Sequence, residues 1–262
     1  LDVKGSFRIQ EFKALNLKSQ DAHILLNAKN GLITLGPNQA KLYGGTYRGE
    51  TVVDVRGKSP QFKFNEKLDT VQVGPLLKDM DLFDSYTGTG NIALQLSAVG
   101  FNATQIRKTL SGNARISFRD GRIEGIDLER IYQTVTSKGP SLEKAFQLLP
   151  KKDDVTKFGE MGASFKLTNG VAATNDLNIR MSSLTVTGTG TEDLVQETNN
   201  MRIDLFEQKN VGRKCKSLPL RIRGTFSKIE PTVDDDYFRC VAQKALNKEI
   251  QKGLGDLFQK QR

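Results

Sequence analysis

The sequence predicts a mainly β fold of the α+β class: a large antiparallel sheet, a few helices packed on it, and an amphipathic helix near the C-terminus. Three observations predict it. Apolar residues recur at every second position in stretch after stretch. Dipeptides that favour tight turns punctuate those stretches: Asn30-Gly31, Gly44-Gly45, Asp120-Gly121 and Asn169-Gly170. Helical spacing is confined to three or four short segments.

Taken in order, Val3, Gly5, Phe7 and Ile9 alternate with polar neighbours, and Ala22, Ile24, Leu26 and Ala28 repeat the pattern. Thr51, Val53 and Val55 follow, then Phe62 and Phe64. Residues 73–80, VGPLLKDM, read as a short helix with Pro in its first turn. The stretch 86–100, YTGTGNIALQLSAVG, puts Ile92, Leu94, Leu96 and Ala98 on one greasy face. Asn91, Gln95 and Ser97 lie on the other. Residues 102–110 place Ala103, Ile106 and Leu110 on one helix face. Ala114, Ile116 and Phe118 alternate with Arg115, Ser117 and Arg119. Residues 128–150 read as a helical hairpin broken at Lys138-Gly139-Pro140, with Ser141 capping its second arm. Strands return over 151–233, through Leu177, Ile179 and Met181, Leu184 and Val186, Met201, Ile203 and Leu205, and Leu218, Leu220 and Ile222. The final helix, within 234–258, carries Phe238, Val241, Ala242, Ala245, Leu246 and Ile250 on one side, with Asp234 to Asp236 at its positive N-terminal end. No Ser/Gly-rich or Pro-rich linker interrupts the pattern, so 1–262 reads as a single domain.

About twelve strands at ~4.8 Å spacing, each ~nine residues long, present on the order of 1,700 Å² of apolar face. The predicted helices cover about 800 Å² of it. A second sheet layer would supply the remaining cover as a sandwich, whereas a strongly curled single sheet would leave a hydrophobic groove. Periodicity does not choose between them.

The totals exclude several functions. No run of ~18 apolar residues offers a membrane-spanning helix. The chain opens on a strand pattern without an initiating Met or a leader, which reads as a piece of a longer protein. A formal charge of +9, spread along the strands, reads as a solvated basic surface. An anionic lipid surface is the sharper alternative. Nucleic acid is disfavoured, because no RNP-like aromatic pattern, zinc-finger spacing or basic recognition helix is present. One histidine, His23, and two separated cysteines, Cys215 and Cys240, do not make a metal site. The cysteines are compatible with a disulfide or with two unrelated thiols. The glycine-rich strings LYGGTYRG, TGTGN and TVTGTGTEDL match neither GxGxxG nor a Walker loop. They suit strand bends and close backbone approach. No nucleophile, base or paired-carboxylate constellation stands out, so the chain is expected to have no catalytic residues and no cofactor.

Six phrases occur in a distinctive order: AKLYGGTYRGETVVDVRG (40–57), VGPLLKDM (73–80), YTGTGNIALQLSAVG (86–100), TLSGNARISFRDGRIEGIDLERI (109–131), KFGEMGASFKLTNGVAATNDLNIRMSSLTVTGTGTEDL (157–194) and LPLRIRGTFSKIEPTVD (218–234). Together they resemble the C-terminal region of the bacterial AsmA family, across roughly residues 1–235. The resemblance implies a twisted antiparallel sheet, curled into a groove or partly closed, like that of bridge-like lipid transfer proteins. It implies a periplasmic location in a Gram-negative bacterium, with an inner-membrane anchor N-terminal to this segment. It implies phospholipid movement to the outer membrane and a role in outer-membrane assembly, with acyl chains on the concave apolar face. An oxidising compartment favours a Cys215–Cys240 disulfide. The family offers no catalytic motif to carry over.

Two functions follow. The first is a non-catalytic lipid-holding module whose candidate contacts are Phe62, Phe64, Ile92, Leu94, Leu96, Ile116 and Phe118. The second is a structural module that docks an outer-membrane or periplasmic partner through its basic surface or final helix. A hydrolase is disfavoured for want of a constellation.

Overall fold

In a computed structural model, residues 2–14, 16–80, 86–138, 151, 153–210, 217–226, 228–240 and 242–243 are described. They form one 13-stranded sheet whose spatial order equals the chain order, every neighbour pair being antiparallel. The strands are β1 (Asp2–Ala14), β2 (Leu17–Lys29), β3 (Leu32–Leu42), β4 (Gly45–Asp54), β5 (Gln61–Gln72), β6 (Tyr86–Val99) and β7 (Ser111–Glu124). They continue as β8 (Val155–Thr168), β9 (Val171–Arg180), β10 (Leu184–Asp193), β11 (Thr198–Glu207), β12 (Ser217–Thr225) and β13 (Lys228–Val233). Among the described residues β1 pairs only with β2 and β13 only with β12, so the sheet they form is open.

The turns show why a meander forms. Asn30 and Gly31, at φ 49° and 80°, make the two-residue reversal between β2 and β3. Asn169 and Gly170, at 50° and 81°, do the same between β8 and β9. These left-handed pairs match the twist of the strands they join. Two of the dipeptides singled out by sequence act differently. The β3–β4 turn is Tyr43-Gly44, at φ 46° and 77°, and Gly45 already belongs to β4. Asp120-Gly121 is not a hairpin but lies inside β7, where the pairing with β6 slips from Thr89↔Arg119 to Thr87↔Arg122. A side chain at Gly121 would meet the Phe158 ring and the Thr87 carbonyl, each at 2.3 Å, so the bulge lets neighbouring strands close in.

Among the described residues three α-helices interrupt the sheet: α1 (Val73–Asp79), α2 (Ala103–Thr109) and α3 (Leu128–Lys138). The Asn102 side chain caps α2, accepting from the Gln105 N–H at 3.0 Å. Asp127 does the same for α3, accepting from the Arg130 N–H at 2.9 Å. The buried Thr156 hydroxyl donates to the Ile126 carbonyl at 2.7 Å and accepts from the Leu128 N–H at 3.1 Å, tying the entry of α3 to β8. Arg130 adds an ion pair to the buried Asp154 carboxylate. Burial opposes ionisation of Asp154, but Arg130 and the Lys151 N–H overcome it and hold its pKa below the usual carboxylate value.

Thus pinned, α3 lays Leu128, Ile131 and Val135 onto the sheet. They join Val73 of α1 and the apolar residues of β7–β12 in one core cluster that includes Phe118, Met161, Ile179, Val186, Leu205 and Leu218. Residues 235–240 and 242–243 are helical, and the rest of the expected C-terminal helix lies outside the described residues. The second arm of the hairpin expected over 128–150 lies outside them as well. No helix among the described residues is long and apolar enough to cross a membrane.

Candidate functional site

Cross-strand register converts the alternation into rows that share one sheet face. One row runs Val3, Ala28, Ile33, Val53, Phe62, Ala98 from β1 to β6. The next runs Gly5, Leu26, Leu35, Thr51, Phe64, Leu96 and continues through Gly112 to Leu167. A lower row runs Leu68, Ile92, Ile116, Ala163, and the one beneath it runs Gly90, Phe118, Met161, Ile179, Val186, Leu205, Leu218. The face is therefore mainly apolar from β1 to β12.

Its cover is not continuous. In the last of these rows, Phe118 is 6% exposed and Val186, Leu205 and Leu218 are 0% exposed. Across β1–β6, Leu26, Leu35, Val53, Phe62, Phe64, Leu94 and Leu96 are all half-buried, and Phe7 is 49% exposed. α1 and α3 contribute to the sealed cluster, and α2 buries no residue. The apolar face is thus sealed mainly along β7–β12, whereas along β1–β6 full burial is confined to Ala22, Ala28, Val71 and Ala98 and the large side chains stay half-buried or exposed.

The seven candidate contacts divide accordingly. Phe118 is in the sealed core, and Ile92 and Ile116 pack against its margin. Phe62, Phe64, Leu94 and Leu96 lie together on the open half, with Phe64 opposite Leu96 and the two rings stacked at 6.1 Å and 5°. Sequence reasoning did not select Phe7, Leu26 or Leu35 as contacts, because which strands face them depends on register. Cys215 lies outside the described residues, and no cysteine among the described residues is free.

Two carboxylates interrupt the apolar phase. Glu66 stands between Phe64 and Leu68 on β5, opposite Gly49 on β4 and Leu94 on β6. The Tyr47 hydroxyl donates to it at 2.6 Å and the Thr51 hydroxyl at 2.8 Å. Burial, then the Glu66 hydrogen bond and charge, raise the Tyr47 pKa and keep the phenol a donor. The sequence signal was there: in FKFNEKL, glutamate occupies an apolar-phase position.

Glu192 on β10 pairs with Ala172 and Asn199. Burial raises its pKa to about 7. Burial, and then the Glu192 charge, raise Tyr86 to about 12. The folded protein therefore retains a proton on Glu192 that the unfolded chain releases near its ordinary pKa of 4.5. The stability from this group is fully present below about pH 4.5 and is lost as pH rises to about 7. Glu192→Gln should remove a pH-dependent loss on the order of 3 kcal/mol over that window. Urea titrations of both proteins at pH 5 and pH 8 check it; an identical decline in the variant would refute the assignment.

The opposite face is wet and basic. Arg8, His23, Arg48, Lys67 and Arg115 fall on one cross-strand row there, with Gln39 and Ala93 among them. Among the described residues no group of three or more His, Cys, Asp or Glu side chains is placed to hold a metal ion.

Comparison with known proteins adds two findings. A model of the AsmA family matches residues 1–177. The chain is also 25% identical over 244 residues to Protein AsmA of Escherichia coli (strain K12), an alignment that covers 90% of this chain. It spans 39% of that relative's length.

Proposed function

Given that the chain belongs to the AsmA family, we propose that it is a non-catalytic periplasmic module that holds phospholipid acyl chains on the open half of its apolar face. It works within a longer, inner-membrane-anchored protein of a Gram-negative bacterium that carries phospholipid between inner and outer membranes and supports outer-membrane assembly. One observation carries the reading: the apolar rows continue across β1–β6 beyond the core that α1 and α3 seal. A soluble protein rarely leaves so broad an apolar surface in water without an occupant. The two faces divide the work, one presenting Phe62, Phe64, Leu94 and Leu96 and the other a hydrated row of basic side chains. Extraction of the purified protein followed by mass spectrometry tests it. Co-purifying phospholipid in near-stoichiometric amount is expected; lipid-free protein that also takes up none from vesicles would refute it.

The second reading, a docking module for an envelope partner, is favoured by the basic row alone. It predicts lipid-free protein and a partner released by salt.

The same proposal places the chain in an oxidising compartment, where Cys215 and Cys240 form a disulfide. The loop so closed, of about 26 residues, stabilises the fold by on the order of 3 kcal/mol in the chain-entropy account. Thiol titration of denatured, unreduced protein should find no reactive thiol; two would overturn the bridge.

A further inference from the structure

The open half of the apolar face contains a built polar position. Tyr47, Gly49 and Thr51 stand at successive same-face positions of β4, and Glu66 of β5 is directly opposite Gly49. The carboxylate lies over that glycine: a side-chain carbon at Gly49 would come 1.6 Å from Glu66 Oε2 and 2.6 Å from the Tyr47 hydroxyl. Tyr47 donates to Oε2 from one side and Thr51 to Oε1 from the other. Glu66 is half-buried, flanked on its strand by Phe64 and Leu68 and across β6 by Leu94. Among the described residues it has no basic partner. A carboxylate has about four acceptor positions, and the hydroxyls occupy two. Among the described residues no further donor occupies the others.

A charge held among apolar side chains and left without a counter-charge is costly, and an ammonium group with three N–H donors offsets that cost. A headgroup whose only charge is negative would be repelled. We propose that Glu66, held over Gly49 by Tyr47 and Thr51, binds the primary ammonium of a phospholipid headgroup and selects such lipids over anionic ones. The proposal rests on the acyl-chain reading of the same face. The hydroxyl pair fixes the carboxylate in advance, and Gly49 provides the space it occupies.

The test uses vesicles containing equal amounts of phosphatidylethanolamine and phosphatidylglycerol, with the protein-bound lipid identified by mass spectrometry. The native chain should enrich the ethanolamine lipid about tenfold, the value of one charge-assisted hydrogen-bonded contact. Glu66→Gln, which keeps partners for both hydroxyls, should still bind both lipids but with the enrichment gone. Glu66→Lys should reverse the preference. Equal binding of the two lipids by the native chain would overturn this proposal and leave the acyl-chain reading standing, whereas no binding of either would overturn both. Calorimetry with free ethanolamine distinguishes the source of the ammonium. No Glu66-dependent heat is expected, because one exposed contact without acyl chains is weak; such heat would assign the site to soluble amines instead.

Discussion

Replacing Leu94 and Leu96 together by aspartate should abolish lipid loading, by about a hundredfold or more, and leave a folded protein. Both leucines are half-buried and belong to the open half of the apolar face. Leu94 stands between Glu66 and Ala114, and Leu96 between Phe64 and Gly112. Neither is part of the core cluster that α1 and α3 seal. In the empty protein two carboxylates at these positions stay hydrated, so the loss of stability should be no more than about 2 kcal/mol. An acyl chain laid on them would strip that water at a cost of several kcal/mol. Melting temperature and lipid extraction are read on the same sample. A double variant that fails to fold would show that this stretch is scaffold and would remove the basis of the lipid reading.

Leu205→Asp should give the opposite result on the same sheet face: no folded protein. Leu205 is 0% exposed, and its cross-strand neighbours Val186 and Leu218 are 0% exposed too. Cutting the side chain back to alanine would cost about 3 kcal/mol through lost burial and the cavity left behind. An unpaired carboxylate adds several more, against a total margin of ~5–15 kcal/mol for a domain. Circular dichroism should show Leu205→Ala folded with a lower denaturation midpoint and Leu205→Asp without cooperative unfolding. A folded Leu205→Asp would mean that β7–β12 are open as well, and the division of the face would fall.

Local order was legible wherever local chemistry decides it. Alternation sets which residues of a strand share a face, and left-handed pairs such as Asn30-Gly31 set where the chain reverses. The helices expected over 73–80 and 102–110 form as Val73–Asp79 and Ala103–Thr109, since the segments carry their own signals, Pro in the first turn and the Asn102 cap. Turn position was less legible. Asp120-Gly121 has the residues of a hairpin, yet β7 runs on through it, because its pairing with both β6 and β8 outweighs the local preference for reversal.

By itself the sequence determined a meandering antiparallel sheet with one greasy and one wet face, because a strand's side-chain period is a property of its own backbone. It also determined the family, through phrases whose order spans the chain. Only the tertiary structure decided where the greasy face is covered. The area estimate left about half of it bare without saying which half; packing concentrates the cover on β7–β12, because Thr156 and Asp154 tether α3 there and Ile131 and Val135 complete a core with Val186, Leu205 and Leu218. The setting of Glu66 was decided at the same level. Tyr47, Gly49 and Thr51 are remote from it in sequence, and only the register of β4 against β5 lays its carboxylate over the glycine between two hydroxyls. Register and cover both depend on contacts between distant segments, and a one-dimensional pattern does not contain them.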